Sequence, residues 1–140
     1  MRKRMVGAIG VAALLVGCGS SGDYANNPRP PRPESISVYV TERHVLIAPS
    51  SIGAGPVTLI VNNQSRASRD VRLEAPAGTS SACVETDTAS GPINPLDTAR
   101  LNVDLVEGDC VVAVAGRGVR AATLTVGRTR PSAQGDLLQP

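Results

Sequence analysis

Apolar and polar residues alternate along short segments between residues 36 and 127. Val57, Leu59 and Val61, for example, would fall on one face of an extended chain. Alternation with a period of two is typical of β-strands that bury one face. The pattern predicts one all-β domain, a small Greek-key β-sandwich of about seven strands. The seven segments, which Gly, Pro, Asn, Asp and Ser separate, are ISVYVT, HVLIA, PVTLIVN, DVRLEA, ARLNVDL, CVVAVA and ATLTV.

The chain on either side of this domain lacks the apolar residues that a core needs. Residues 18–35 contain four prolines and almost no branched apolar side chain, which predicts a disordered, Pro-rich tether. Residues 128–140 are predicted to form a flexible tail, because Pro131 would end a strand. We therefore expect the folded domain to span residues 36–127.

The N-terminus begins with three basic residues and continues as an apolar run from Met5 to Val16. This run is shorter than the roughly 20 residues of a membrane-spanning helix, but it suits the apolar region of a secretory signal. It ends in Leu15-Val16-Gly17-Cys18, which resembles the lipobox of bacterial lipoproteins. The resemblance implies that residues 1–17 are a signal peptide, that cleavage falls between Gly17 and Cys18, and that Cys18 carries lipid. The mature protein would then be anchored to the extracytoplasmic side of the cell membrane. The alternative is a buried N-terminal helix that happens to contain a cysteine.

Removal of this signal would change the charge of the protein. The full chain carries 14 Lys and Arg against 12 Asp and Glu, a formal net charge of +2. Three basic residues and no acidic residue lie within residues 1–17, so 11 basic residues would remain against 12 acidic ones, a net charge of −1. A near-neutral chain lacks the basic face that nucleic-acid binding requires, and we expect no nucleic-acid partner.

The predicted core is almost entirely aliphatic, since the chain has no Phe or Trp and Tyr39 is expected to be the single aromatic residue of the core. A small aliphatic core is marginally stable and commonly gains a covalent link. Once Cys18 is lipidated, Cys83 and Cys110 remain, and such a pair in an exported protein favours a disulfide. Cys110 lies on the apolar face of its segment and should point inward. The alternatives are two unpaired thiols, or a metal or redox site that also uses His44, the single histidine.

The order of elements in residues 36–127 resembles that of a cupredoxin. The segment GPVTLIVNNQSRASRDVRLEAP resembles the family's Val-rich strand, which ends in Asn and precedes a loop and a histidine. The segment INPLDTARLNVDLVEGDCVVAVAGRGVRAATLTVG resembles its later strands, from the proline before a Leu-rich strand to the final strand. The resemblance implies a cupredoxin-like fold, with an immunoglobulin-like sandwich as the alternative.

The copper ligands of that family do not carry over. A type-1 copper site needs two His, a Cys and usually a weak axial ligand. Arg69 stands where the first His is expected and Val114 stands where the Cys is expected. The loop 115–118 contains neither His nor Met, Cys110 takes the place of a Tyr, and His44 is expected at the surface or at a sheet edge. We therefore expect no copper and no other cofactor.

The sequence does not point to an enzyme. It contains no G-x-S-x-G, no His-Glu-x-x-His and no P-loop motif. The carboxylates of Asp87, Asp97, Glu107 and Asp109 lie in turns or near strand ends, where acidic side chains are usually solvated.

The remaining candidate site is a group of arginines. Arg66, Arg69 and Arg117 lie in two loops that a cupredoxin-like order brings to one end of the sandwich, and Arg120 lies close by in sequence. Guanidinium groups bind phosphate and carboxylate in a forked geometry, so the group is a candidate anion-binding site; the alternative is solvated loop charge.

The sequence thus predicts a lipid-anchored lipoprotein of the cell envelope with a non-catalytic binding or structural module. Its expected partners are the membrane, reached through the N-terminal lipid, and an envelope protein or an anionic ligand. The alternative function is a metal-handling or redox cupredoxin-like protein that uses Cys83, Cys110 and His44.

Overall fold

The computed structural model describes residues 28–79, 83–84 and 88–132, and all the regular secondary structure in these ranges is β. The eight strands are β1 (Glu34–Val40), β2 (Val45–Ala48), β3 (Ser51–Asn63), β4 (Arg69–Glu74), β5 (Thr88–Ile93), β6 (Thr98–Leu105), β7 (Gly108–Val114) and β8 (Ala122–Thr129).

The strands form two layers that share β3. In the first layer the order is β2, β1, β3 and β6, with β3 parallel to β1 and antiparallel to β6. In the second layer the order is β5, β4, β7 and β8, and the first residues of β3 continue it by pairing in parallel with β8. This mixed pairing confirms the predicted all-β sandwich.

β3 passes from one layer to the other near its first glycines. Its pairing with β8 is irregular between Gly53 and Ala54, and Gly55 has a φ of 128°, which residues with a side chain rarely adopt. A Cβ at Gly53 would lie 2.6 Å from Cγ of Arg130 and 2.9 Å from the carbonyl oxygen of Arg128. Glycine is therefore required at the point where the strand changes layer.

The core fills the space between the layers with aliphatic side chains. The predicted inward faces are confirmed, since Val57, Leu59 and Val61 are buried and the other alternating strands behave in the same way. Tyr39, however, does not belong to the core, because it is 39% exposed and lies opposite the exposed Leu46 on the outer face. Val38 and Val40 on either side of it take the inward positions.

One strand was missed by the sequence pattern. β5, with the sequence TASGPI, contains Gly and Pro and shows no apolar alternation. It is held at the edge of the second layer by antiparallel pairing with β4, in which Arg69 lies opposite Ile93 and Leu73 lies opposite Thr88. Backbone pairing and the buried Ile93 therefore define a strand that side-chain periodicity does not reveal.

The strands extend two residues beyond the predicted domain at each end, from Glu34 to Thr129. The start of β1 and the end of β8 lie at the same end of the sandwich, which we call the terminal end. Residues 18–27 of the predicted tether and residues 133–140 of the predicted tail lie outside the described residues.

Arg130 fastens the start of β1 to the end of β8. Its guanidinium donates hydrogen bonds to the carbonyl oxygens of Arg32 at 2.9 Å and Pro56 at 2.5 Å, and it forms an ion pair with Glu34 at 3.1 Å. Its side chain is only 11% exposed. These contacts explain why β1 begins earlier and β8 ends later than the apolar pattern predicts.

Cys83 and Cys110 form the predicted disulfide, with their Cα atoms 5.3 Å apart. Cys110 lies in β7 and points into the core, and Cys83 lies between β4 and β5, where its carbonyl accepts a hydrogen bond from the Val106 amide at 3.0 Å. The bond ties the chain between β4 and β5 to the core near the terminal end.

Asn63 and Ser65 are buried polar residues at the opposite end of the sandwich. The Asn63 Nδ2 donates to the carbonyl oxygens of Ala67 at 2.8 Å, Ile93 at 2.9 Å and Asn94 at 3.2 Å. Its Oδ1 accepts from the Ser65 amide at 3.0 Å and from the Ser65 hydroxyl at 2.7 Å. One amide side chain thus connects the chain after β3 to the chain after β5.

Replacing both cysteines, Cys83→Ala together with Cys110→Ala, should lower the free energy of unfolding by about 3–4 kcal/mol, because the disulfide closes a loop with a sequence separation of 27. Urea unfolding followed by circular dichroism measures the change. Intact mass after alkylation is the control, and alkylation of both thiols without a reductant would contradict the disulfide.

Asn63→Ala should cost about 2–4 kcal/mol, because it removes a buried amide that donates to three backbone carbonyls and accepts two hydrogen bonds from Ser65. The matched control is Asn62→Ala, since the Asn62 side chain faces outward and donates one bond, to Thr98 at 3.0 Å. Asn62→Ala should cost less than about 1 kcal/mol. Equal losses in a urea titration would show that the buried network does not stabilise the fold.

Candidate functional site

Four loops meet at the end of the sandwich opposite the terminal end, and we call this the loop end. They are residues 41–44, 64–68, 94–97 and 115–121. β1 and β3 are parallel, and both end there. β7 also ends there, and because β4 and β8 pair antiparallel with β7, both of them begin there. The topology therefore gathers loops from distant parts of the sequence.

Backbone hydrogen bonds join these loops to one another. The Arg120 amide donates to the Arg43 carbonyl and the Val45 amide donates to the Arg120 carbonyl, both at 2.8 Å. The Leu96 amide donates to the Asn63 carbonyl at 2.7 Å. The loop end is consequently a connected surface rather than four independent segments.

Arg69 lies at the start of β4 and is bound on two sides. Its Nε donates to the Ser65 hydroxyl at 3.0 Å, and its terminal nitrogen pairs with Glu42 at 3.6 Å. The other Glu42 oxygen accepts a hydrogen bond from the Arg66 amide at 2.8 Å. The Arg69 side chain is 15% exposed, so its guanidinium joins the loops 41–44 and 64–68 from within.

The residues at the expected copper-ligand positions do not fit the metal. Arg69 stands in place of the first histidine, and its charged guanidinium has no lone pair to offer a metal. Val114 stands in place of the cysteine, is buried in the core and lies opposite Val71 in the sheet. Within residues 28–79, 83–84 and 88–132, no group of three or more His, Cys, Asp and Glu side chains could hold a metal ion.

The alternative metal or redox site does not assemble either. Cys83 and Cys110 are bonded to each other near the terminal end. His44 is exposed, as expected, and its backbone forms a bridge with Arg120 at the loop end. Cys110 lies opposite Leu124 in the sheet. Leu124 is four residues along the chain from Arg120, the residue that His44 pairs with. About 13 Å of strand therefore separates Arg120 from the disulfide.

The predicted arginine group is only partly brought together as a surface. Arg66, Arg117 and Arg120 are exposed at the loop end, whereas Arg69 is turned inward to Glu42 and Ser65. Arg43 is also exposed, on the adjoining loop 41–44. The sequence analysis missed it, because the sequence does not show that this loop is hydrogen-bonded to Arg120.

Leu96 is a second feature that sequence reasoning missed. It is 81% exposed and has a φ of 63°, in the left-handed region that residues other than glycine rarely adopt. The Asn94-Pro95 pair before it is a turn signal, but it does not reveal which way the leucine points. The structure places this apolar side chain at the tip of the loop 94–97.

The predicted lipidation and cleavage residues, Gly17 and Cys18, lie outside the described residues. No helix in the part of the chain that the structure describes is long and apolar enough to cross a membrane.

No family model matches this chain, and no curated protein matches it in sequence. Among solved structures it is similar to auracyanin A, a blue copper protein from the green thermophilic photosynthetic bacterium Chloroflexus aurantiacus. The TM-score is 0.50 at 15% identity, and the match covers 69% of this chain and 100% of that chain. A structure of a heme-copper terminal oxidase dimer matches with a TM-score of 0.47 and 10% identity, over 67% of this chain and 64% of that chain. The domain has an all-β, cupredoxin-like fold, and the immunoglobulin-like alternative is not supported.

Proposed function

We propose that this protein is a lipid-anchored lipoprotein of the cell envelope whose cupredoxin-like domain is a non-catalytic binding or structural module. The observation that carries the proposal is that Arg69 is bound to other residues of the loop end. At the position where the resemblance expects a copper-binding histidine, this chain has a cation bound to Ser65 and Glu42. In this proposal the loop end is held together by hydrogen bonds and an ion pair between loops, where the copper-binding family uses metal coordination.

The disulfide supports the same reading. Cys83 and Cys110 are bonded to each other and are buried, so their sulfur atoms stabilise the aliphatic core. A disulfide of this kind is typical of small exported domains. It fits an extracytoplasmic location better than a cytoplasmic one.

The anchor is proposed from the lipobox-like Leu15-Val16-Gly17-Cys18. Fifteen residues separate Cys18 from Glu34, where β1 begins. A coil of this length spans roughly 20 Å on average, enough to hold the domain away from lipid headgroups. The contacts of Arg130 with Arg32 and Glu34 would then fix where the tether leaves the domain.

The domain, with its disulfide intact, should bind neither Cu²⁺ nor Zn²⁺ at stoichiometric concentration, because Arg69 and Val114 supply no ligand. Isothermal titration of residues 23–140 with each metal measures this, and auracyanin A stripped of its metal is a suitable positive control. Stoichiometric binding that the variant His44→Ala abolishes would favour the metal-handling alternative.

Cys18→Ser should abolish incorporation of labelled palmitate and release the protein from the membrane fraction, since lipid would be its anchor. Cell fractionation with immunoblotting of the full chain measures the release. Ser21→Ala is the control, because it changes a residue close to the proposed lipid site while keeping Cys18 and the disulfide. Membrane association that persists in the Cys18 variant would contradict the lipoprotein proposal.

A further inference from the structure

The loop end carries a concentration of positive charge. Five arginines lie in or directly beside its four loops, at positions 43, 66, 69, 117 and 120, against two carboxylates, Glu42 and Asp97. With His44 neutral, this is a net charge of +3 in a chain whose predicted mature form is near neutral. The carboxylates are engaged, since Glu42 meets Arg69 and the Arg66 amide, and Asp97 accepts from the Thr98 amide at 2.8 Å.

Four of these cations face solvent. Arg43, Arg66, Arg117 and Arg120 are exposed, and their loops are joined by the hydrogen bonds between Arg120 and Arg43 and between Arg66 and Glu42. Connected loops hold the backbone that carries these arginines in a fixed arrangement, so binding a partner costs little ordering of the backbone.

An apolar tip stands on the same surface. Leu96 is almost fully exposed and contributes no burial to the core, yet its backbone is held in a left-handed conformation. Two hydrogen bonds hold that turn, from the Leu96 amide to the Asn63 carbonyl at 2.7 Å and from the Asp97 amide to the Asn94 carbonyl at 3.1 Å. An asparagine or glycine would satisfy the backbone better, so folding gives no reason for leucine at this position.

We infer that the loop end is a docking surface for an acidic segment of another protein that also carries apolar side chains. The segment's carboxylates would meet Arg43, Arg66, Arg117 and Arg120, and its apolar side chains would cover Leu96. Arginines beside an apolar anchor form the pattern by which interfaces combine charge complementarity with buried contact. This inference deepens the proposed binding function and rests on it.

The position of the surface favours a protein over the anchoring membrane. Residues 57–63 of β3 pair along the whole of β1 and run from the terminal end to the loop end, a length of about 23 Å. A lipid at Cys18 would hold the terminal end near the membrane through a tether that spans roughly 20 Å on average. The loop end would therefore point away from the lipid and towards other envelope proteins.

The test uses residues 23–140 and a synthetic peptide of repeated Glu-Glu-Leu, with binding followed by fluorescence anisotropy at two salt concentrations. Replacing Leu96 by Asn, which tolerates the left-handed backbone, should weaken binding about tenfold. A Glu-Glu-Ser peptide should bind the wild type more weakly than the Glu-Glu-Leu peptide does, and Leu96→Asn should leave that weaker binding unchanged. The triple variant Arg66→Gln, Arg117→Gln, Arg120→Gln should weaken both peptides at least about tenfold and reduce the dependence on salt.

The matched control is the triple variant Arg29→Gln, Arg100→Gln, Arg128→Gln, which removes the same charge from exposed arginines outside the four loops. It should bind the Glu-Glu-Leu peptide as the wild type does. No peptide binding, or equal losses in the two triple variants, would overturn the inference. Binding that appears only with phosphatidylglycerol vesicles, or only with inorganic phosphate, would also overturn it. Stoichiometric metal binding by the domain, or membrane association that persists in Cys18→Ser, would instead contradict the proposed function, so the two failures are distinguishable.

Discussion

The side-chain amide of Asn63 is the interaction on which the loop end depends. It has no contact with solvent, and it donates to three backbone carbonyls while accepting from Ser65. Because Ser65 in turn accepts from Arg69, and Arg69 pairs with Glu42, one buried group at the end of β3 reaches the loop after β1. A buried polar group of this kind is favourable only when each donor and acceptor is matched, as it is here.

This network shows how the loop end of a cupredoxin-like fold is held together in this chain with Arg69 at the start of β4. A metal at the loop end would fix several loops by coordination. In this chain, Arg69 forms contacts at the corresponding place that need no metal, and the disulfide stabilises the core near the other end. The two devices act on different parts of the molecule, since the disulfide constrains the chain between β4 and β5 and the network constrains the loops.

The two ends of the sandwich consequently differ in their proposed roles. At the terminal end Arg130 holds the start of β1 and the end of β8 together, where the proposed tether enters. At the loop end exposed arginines and Leu96 stand on backbone segments that hydrogen bonds keep in place. As proposed, the module would be anchored at one end and would expose its binding groups at the other, which suits a protein that reaches from a membrane to a partner.

The sequence by itself determined the strand class, the inward faces, the disulfide and which residues stand at the expected copper-ligand positions. Each of these follows from local alternation or from residue identity, as with Val57, Leu59 and Val61, or Arg69 in place of histidine. The sequence did not predict β5 or the outward direction of Tyr39. Strand pairing, and which face of a strand is buried, are set by neighbours that lie far away in the chain. Only the tertiary structure decided that Arg69 turns inward while Arg43 joins the exposed group, and that Leu96 stands at a loop tip. The physical reason is that side-chain direction in a loop depends on hydrogen bonds to other loops, and no local pattern encodes those.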